Sequence, residues 1–154
     1  MKIRDAGLGD VPQMSAFLKE LTALGKRTSP DDESHVRTYY IEDPNKIRCS
    51  VAEDDDGTIL GFQSLKHADE DNIWGVTPGW GIIGTHIAPR AARRGVGRAL
   101  FAVTRAAAEE AGLQDIDATI AATNAEGLGY YEAMGFETYR TPEGSICKRL
   151  RLAA

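Results

Sequence analysis

The sequence predicts an α/β fold in which a mixed sheet is flanked by about four helices. Three observations support this prediction: apolar stripes at helical spacing, a hairpin signal between two short strand-like runs, and a further run rich in β-branched residues. The 154 residues include no long linker rich in serine, proline or glycine and no repeat at solenoid spacing. One domain over residues 1–154 is therefore the expectation.

The first third of the chain predicts one strand and two helices. The strand is Lys2-Ile3-Arg4, and the first helix is capped by Asp10 and ended by Gly25. Its apolar stripe has 3-4-3 spacing and consists of Val11, Met14, Leu18 and Leu21. A weaker helix is predicted from Pro30 to Tyr40, because proline suits a first helical turn and the acidic residues 31–33 suit its positive end.

The middle of the chain predicts three strands. Two of them, Ile47 to Ala52 and Ile59 to Leu65, are joined by the acidic turn Asp54 to Gly57 and indicate a hairpin. The third strand, Gly81 to Ala88, is rich in β-branched residues, and Pro89 stops further ladder pairing. These strands supply the centre of the predicted sheet.

The last third predicts two helices and three strands. The first helix ends near Gly112, and its apolar face consists of Val96, Leu100, Val103 and Ala107. A strand at Asp115 to Ala121 follows, and Asn124 then caps a short helix that runs through Met134 and stops at Gly135. The closing strands, around a turn at 142–144, are Phe136 to Arg140 and Ser145 to Leu152.

Composition excludes several classes of protein. The formal charge of -5 at pH 7 argues against a nucleic-acid binder, whose surface would be broadly basic. The two cysteines, Cys49 and Cys147, are too few and too far apart for a disulfide framework or a zinc cluster, which favours a reducing cytoplasm. The start has no apolar signal core, and no segment supplies the roughly 18 apolar residues of a membrane helix, so no membrane association is expected.

A loop rich in glycine and arginine joins the strand at 81–88 to the helix that follows. Gly95 and Gly97 allow backbone N–H groups to approach a ligand, and the N–H groups of a first helical turn have no partner within the helix. Clustered arginines in an otherwise acidic chain favour phosphate, and the four here are Arg90, Arg93, Arg94 and Arg98. The alternative is a glycine-relaxed turn with solvated arginines.

Two common phosphate-binding motifs do not fit this loop. A P-loop requires Gly-Lys-Ser/Thr, whereas Gly97 is followed by Arg98 and Ala99. A dinucleotide fingerprint requires a third glycine where Leu100 stands, and it follows an early strand directly. The sequence therefore disfavours nucleotide binding or hydrolysis.

Two blocks of the sequence match longer spaced motifs. Residues 92–97 fit Arg/Gln-x-x-Gly-x-Gly/Ala in their glycines, with Ala92 in place of the first Arg/Gln. Residues 124–136 fit Asn-x-x-Ala-x-x-x-Tyr-Glu-x-x-Gly-Phe, with Gly127 in place of alanine. In this order, separated by a helix and a strand, the blocks resemble the GNAT superfamily of acyl-CoA-dependent N-acetyltransferases over most of the chain.

The resemblance implies a GNAT-like domain with a mostly antiparallel sheet whose central strands splay apart. It also implies an N-acetyltransferase, an acyltransferase that transfers groups other than aminoacyl groups, with acetyl-CoA as co-substrate and no metal. In such a fold the Thr85 N–H would point toward the thioester oxygen, and Ile87 would contact pantetheine; the alternative for both side chains is ordinary strand packing. The residues expected at CoA are Ile87, Arg93, Arg94, Gly95, Val96, Gly97, Arg98, Ala99 and Asn124.

Tyr131 is the candidate that protonates or hydrogen-bonds the departing CoA thiolate. A phenol of reference pKa ~10 stays protonated at neutral pH and can donate to a thiolate whose conjugate acid lies near ~8.5. Tyr131 also lies three residues from Leu128 and from Met134, so a core aromatic with its hydroxyl at the rim is the alternative. Tyr130, about 100° round the helix, is the weaker candidate.

Other site roles have two interpretations each. Asn124 is sufficient as a helix cap, and the resemblance adds a contact to pantetheine or to an ordered water. Trp80 to Ala88 contains no carboxylate to serve as general base, and alternation along the strand directs His86 to the face opposite Thr85, as expected for a sheet histidine. An amine of low pKa, or deprotonation through water, would need no base.

The acceptor is expected to be an amine of a small molecule or a peptide. Acidic runs at 31–33, 42–43 and 69–71 either attract a cationic acceptor or solvate the surface. Four aromatic residues either line an acceptor pocket or fill the core: Trp74, Trp80, Tyr39 and Tyr40. A homodimer is compatible with the resemblance, and the alternative function is a non-catalytic acyl-CoA-binding or regulatory module.

Overall fold

The computed structural model describes residues 1–91 and 94–152, where seven strands form one open mixed sheet with four α-helices around it. The strands are β1 (Lys2–Asp5), β2 (Lys46–Glu53), β3 (Ile59–His67), β4 (Gly81–Ile87), β5 (Asp115–Ala121), β6 (Glu137–Arg140) and β7 (Ser145–Arg151). The helices are α1 (Val11–Ala23), α2 (Glu33–Val36), α3 (Val96–Glu110) and α4 (Ala125–Ala133). The α/β class and the helix count are confirmed.

The sheet is antiparallel except at its centre. Its order is β1-β2-β3-β4-β5-β7-β6, and β4 and β5 are the parallel pair. Only two residue pairs join these strands, Gly81 with Ile116 and Ile82 with Asp117. Beyond Ile82 the two strands diverge, which confirms the splayed central strands and opens a cleft in the middle of the sheet.

Two apolar clusters hold the halves of the sheet. One joins α1 to β2 and β3, with Phe17 against Phe62 at 5.6 Å between ring centroids. The other lies between α3, α4 and β5 and includes Phe101 and Phe136. The stripe predicted for α1 is confirmed, and on α3 the predicted residues Val96 and Leu100 are buried. The other two residues predicted for α3, Val103 and Ala107, are only half-buried, and the buried positions there are Phe101, Thr104 and Ala108.

The predicted helix from Pro30 to Tyr40 is wrong in its start and its type. Helix α2 begins at Glu33, because the carboxylate of Asp32 accepts the His35 N–H at 3.2 Å and caps it there. After Val36 the chain widens into a π-helical turn over Arg37–Ile41, which carries Tyr40 into the core. Asp10 also departs from its predicted capping role, since its carboxylate binds Arg4 at 2.8 Å and the Gly7 N–H at 2.8 Å.

Candidate active site

A cleft of about 920 Å³ opens where β4 and β5 diverge. The segment between α1 and α2 forms one wall, α4 forms the other, and the start of α3 closes one end. The sequence-predicted residues that line it are Thr85, Ile87, Gly95, Val96, Gly97, Arg98, Asn124 and Tyr131. Arg94 and Ala99 are not among its lining residues, and Arg93 lies outside the described part of the chain together with Ala92.

The glycine turn shapes the end of the cleft at α3. Gly95 is the N-cap of α3 with φ 77° and ψ 11°, a left-handed conformation that glycine adopts without a Cβ clash. The N–H groups of the first turn of α3 have no partner within the helix, so this end of the helix can bind an anion. The turn can therefore receive a phosphate from the cleft.

The arginines of this loop separate in the fold. Arg98 is exposed and lines the cleft. Arg94 instead approaches Asp54 at 3.3 Å, and Arg90 donates to the Ile59 carbonyl at 3.2 Å. Among the described arginines predicted from the loop, Arg98 alone contributes its charge to the cleft wall.

The Tyr131 hydroxyl sits in a short hydrogen-bond network on the α4 side of the cleft. Tyr131 is 6% exposed, and its Oη lies 2.7 Å from the Thr85 Oγ1. Gln63, which is fully buried on β3, donates from Nε2 to the same Thr85 oxygen at 2.9 Å. The three side chains therefore form a chain from β3 through β4 to α4.

Tyr130 is tied to the glycine turn by the same amide. Its hydroxyl accepts from Gln63 Nε2 at 3.0 Å and donates to the Gly97 carbonyl at 2.7 Å. Its ring covers Gly97, where a Cβ would come within 2.6 Å of Tyr130 Cε1. Gln63 thus joins the predicted acid to the predicted phosphate turn.

Burial controls the ionisation of both phenols. Desolvation raises the pKa of Tyr131 well above its usual value, and the bond to Thr85 opposes this only in part. Desolvation also raises the pKa of Tyr130. Both side chains are therefore protonated donors throughout the neutral range.

The β4 backbone presents donors to the cleft. The Ala88 N–H donates to the Leu60 carbonyl at 2.8 Å, which sets the hydrogen-bonded register between β3 and β4. Because N–H directions alternate along an antiparallel strand, the N–H groups of Thr85 and Ile87 point away from β3, toward β5. These groups face the gap between the splayed strands.

His86 lies on the opposite face of β4, as alternation predicts. Arg27 approaches its Nδ1 at 3.4 Å, and because a guanidinium can only donate, Nδ1 accepts and the ring proton is on Nε2. That Nε2 lies 3.2 Å from the Tyr40 hydroxyl and donates to it. Desolvation, reinforced by the charge of Arg27, lowers the pKa of His86 to about 3. The imidazole is neutral and both of its nitrogens are engaged, which makes it a poor base.

The neutral state of His86 predicts a loss of stability in acid. Its pKa is about 3 when folded and ~6.5 when unfolded, so the unfolded chain binds the extra proton as the pH falls below ~6.5. Between pH 7 and 5 the free energy of unfolding should fall by about 2 kcal/mol for a fully desolvated ring, and contact with the cleft reduces this to about 1 kcal/mol. Denaturant unfolding at both pH values measures the loss.

A matched pair of variants isolates this contribution. His86→Gln keeps a donor near Tyr40 and should flatten the dependence between pH 7 and 5, whereas His67→Gln, at an exposed site on β3, should leave it as in the wild type. An unchanged dependence in His86→Gln would show that the pKa of His86 is the same in the folded and the unfolded chain.

The aromatic residues predicted either to line an acceptor pocket or to fill the core lie outside the cleft. Tyr40 is buried in the first apolar cluster, and none of the four aromatic residues singled out above is among the described residues that line the cleft.

Among residues 1–91 and 94–152, no three His, Cys, Asp or Glu side chains are grouped so as to hold a metal ion. In that same part of the chain, no helix has the length and apolarity that crossing a membrane requires.

Sequence reasoning missed two residues of this site. Gln63 reads as one polar residue in a strand, and its position opposite Thr85 becomes visible only through the register of β3 on β4. Arg27 lies in the segment after α1, with no motif around it, and reaches the cleft through the fold.

A known protein family matches most of this chain. The model of the acetyltransferase (GNAT) family matches residues 14–136, which is more than half of the chain. The sequence has no significant match among curated proteins.

Several solved structures share the fold. A GCN5-related N-acetyltransferase from Kribbella flavida superposes with a TM-score of 0.81 at 24% identity, over 98% of this chain and 97% of that one. A ribosomal-protein-alanine N-acetyltransferase from Brucella melitensis gives 0.79 at 21%, over 99% and 100%. A GNAT superfamily phosphinothricin acetyltransferase from Sinorhizobium meliloti, in complex with acetyl-CoA, gives 0.79 at 19%, over 98% and 88%. At these identities the likeness is one of fold.

Proposed function

Because this chain belongs to the acetyltransferase (GNAT) family, we propose that it transfers an acetyl group from acetyl-CoA to a primary amine, by direct attack in a ternary complex. The observation that carries the proposal is the cleft between β4 and β5, which joins the glycine turn at one end to the Tyr131 hydroxyl inside. A polyphosphate ligand with a reactive thioester at its far end matches that arrangement.

The donors along the cleft fit CoA. The left-handed Gly95, the first turn of α3 and the Arg98 guanidinium would hold the pyrophosphate. The N–H groups of Thr85 and Ile87 would pair with the amides of pantetheine, a contact that depends on backbone and tolerates many side chains. Asn124 caps α4 by accepting the Gly127 N–H at 3.0 Å, which places its amide at the cleft wall.

Acetyl-CoA supplies the activated acetyl group, and the protein supplies orientation and a proton. The Thr85 N–H would stabilise negative charge on the carbonyl oxygen. Gln63 already donates to Thr85, so the Thr85 hydroxyl can in turn donate to Tyr131. In that arrangement the Tyr131 hydrogen would be free to bind the thiolate that departs.

The attacking amine must lose its proton without a strong base. Of the described residues that line the cleft, Glu126 is the sole carboxylate, and it forms an ion pair with Lys26 at 2.7 Å at the mouth. His86 is engaged at both nitrogens. We therefore assign deprotonation to water and to the fraction of the amine that is already neutral.

This assignment predicts that kcat/KM rises with pH along the ionisation of the acceptor amine itself. Release of free thiol from acetyl-CoA would be measured with amino acids, polyamines, aminoglycosides and peptide N-termini as acceptors. Calorimetry would measure the affinities of the protein for CoA and for ATP. Two accepted amines of different pKa should give rising limbs displaced by the difference between those values. A limb at the same pH for both would instead indicate a base on the protein.

Tight binding of CoA without thiol release from any amine would favour the alternative, a non-catalytic acyl-CoA-binding or regulatory module. The scarcity of groups in the cleft that could act as a general base favours this alternative. The hydrogen bond between Tyr131 and Thr85, which suits a proton donor, argues against it. Preference for ATP over CoA would contradict both.

A further inference from the structure

The wall of the cleft opposite α4 carries an arginine that the family motifs do not use. Arg27 lies between α1 and α2, is half-buried and lines the cleft. Its NH2 group donates to the Pro30 carbonyl at 2.8 Å, and its NH1 group meets His86 at 3.4 Å. Both partners are neutral, and the Arg27 Nε is buried without a hydrogen-bond partner among the described residues.

The charge of Arg27 is not balanced nearby. No Asp or Glu of the described residues lies within 4.0 Å of its guanidinium, whereas the adjacent Lys26 is paired with Glu126. A buried or half-buried guanidinium is normally paired with an anion, because its desolvation is otherwise uncompensated. NH1 and NH2 each keep one N–H without an acceptor among the described residues, and these two groups can donate to an oxyanion in the cleft.

The position of Arg27 separates it from the phosphate turn. Tyr130 and Tyr131 fill the α4 side of β4, so the other side, where His86 and Arg27 lie, is left for the second substrate. Arg98 serves the end at α3, where the pyrophosphate is proposed to bind. Among the described lining residues, Lys26 is paired with Glu126, so the two remaining cationic side chains, Arg27 and Arg98, lie at different places in the cleft.

We propose that Arg27 binds a carboxylate of the acceptor, so that the preferred acceptors are amino acids or similar small amines that carry one. The proposal rests on the function proposed above and specifies its substrate. Arg27 can pair with a carboxylate in a bidentate manner, and His86 beside it is neutral and does not balance the charge of Arg27. A phosphate of CoA is the other possible source of an oxyanion at this position.

The test compares amines in matched pairs, each an amino acid and its primary amide. The ratio of kcat/KM for acid over amide is measured for the wild type, Arg27→Gln and Arg27→Lys. Comparing the same ratio between proteins cancels the different basicities of the two amines. Arg37→Gln is the matched control, an exposed arginine on the neighbouring helical turn that approaches Glu42 at 3.5 Å.

We expect Arg27→Gln to lower the acid-to-amide ratio about tenfold or more, through a higher KM for the acid and an unchanged KM for acetyl-CoA. Arg27→Lys should keep part of the preference, and Arg37→Gln should keep all of it. An unchanged ratio in Arg27→Gln would overturn the proposal. If the ratio is unchanged and the KM for acetyl-CoA is raised, Arg27 is assigned to a phosphate of CoA instead.

A binding measurement keeps the proposal testable apart from catalysis. If no amine is acetylated, the proposed transfer reaction fails, and the acids and amides are then titrated into CoA-loaded protein by calorimetry. Binding of the acids that Arg27→Gln abolishes would still support a carboxylate site. Equal binding of acids and amides, or binding of neither, would overturn it.

Discussion

Replacing Tyr131 with phenylalanine is expected to lower kcat about 10²-fold while leaving the affinity for acetyl-CoA nearly unchanged. General acids typically contribute 10²–10⁴-fold, and the low end applies because a thiol of reference pKa ~8.5 is already a fair leaving group. Phenylalanine retains the ring contact with Phe136 at 5.1 Å and removes only the hydroxyl that meets Thr85. Steady-state kinetics with saturating acetyl-CoA would measure the change.

Tyr39→Phe is the matched control. Its hydroxyl accepts from Trp74 at 3.2 Å, and Tyr39 is not among the described residues that line the cleft, so kcat should be unaffected. Calorimetry with CoA separates lost chemistry from lost binding. Full turnover in Tyr131→Phe with normal CoA affinity would remove the tyrosine from the mechanism and return it to a packing role.

Replacing Gly97 with alanine should weaken CoA binding about tenfold and lower the free energy of unfolding by about 1–3 kcal/mol. The new Cβ would meet Tyr130 Cε1 at 2.6 Å, and this ring is fixed by hydrogen bonds to Gly97 and Gln63. The overlap forces either the ring or the first turn of α3 to move, which misaligns the proposed phosphate donors. Calorimetry and denaturant unfolding measure the two effects.

Gly129→Ala provides a control of opposite sign. Gly129 lies in α4 with nothing within 4 Å of an added Cβ, so alanine should stabilise the protein by about 0.5–1 kcal/mol through helix propensity. A second variant, Gly97→Ala with Tyr130→Leu, removes the overlapping ring atoms and should recover part of the CoA affinity. Wild-type stability and affinity in Gly97→Ala alone would show that the ring yields without cost.

Local signals predicted most of the fold. Helix α1 was predicted correctly because its stripe is regular, and β2 and β3 because an acidic turn separates two short strand-like runs. The same signals failed at α2, where the carboxylate of Asp32 outcompetes Pro30 for the helix start and tertiary packing of Tyr40 widens the following turn. Propensity decides an element where packing agrees with it, and packing decides otherwise.

The site was predictable only where it is contiguous in sequence. The glycine turn and the block from Asn124 to Phe136 are local, so their side chains could be named beforehand. Gln63 contacts Thr85 of the cleft through a strand register, and Arg27 reaches the cleft and His86 from the segment between two helices. Each contact joins residues more than twenty positions apart in the sequence. Contacts between residues so far apart in the sequence leave no local motif from which they could be predicted.

The parallel pairing of β4 with β5 ends after two residue pairs, which leaves each strand with an inner edge in the described sheet. Free strand edges invite association between molecules, and proteins usually protect them with charge, proline or a covering element. Here the two edges face each other inside a cleft bounded by α4 and by the segment after α1. The gap has room for a thin extended chain, whereas those walls keep out the sheet of another molecule, so the open edges are protected from association between molecules.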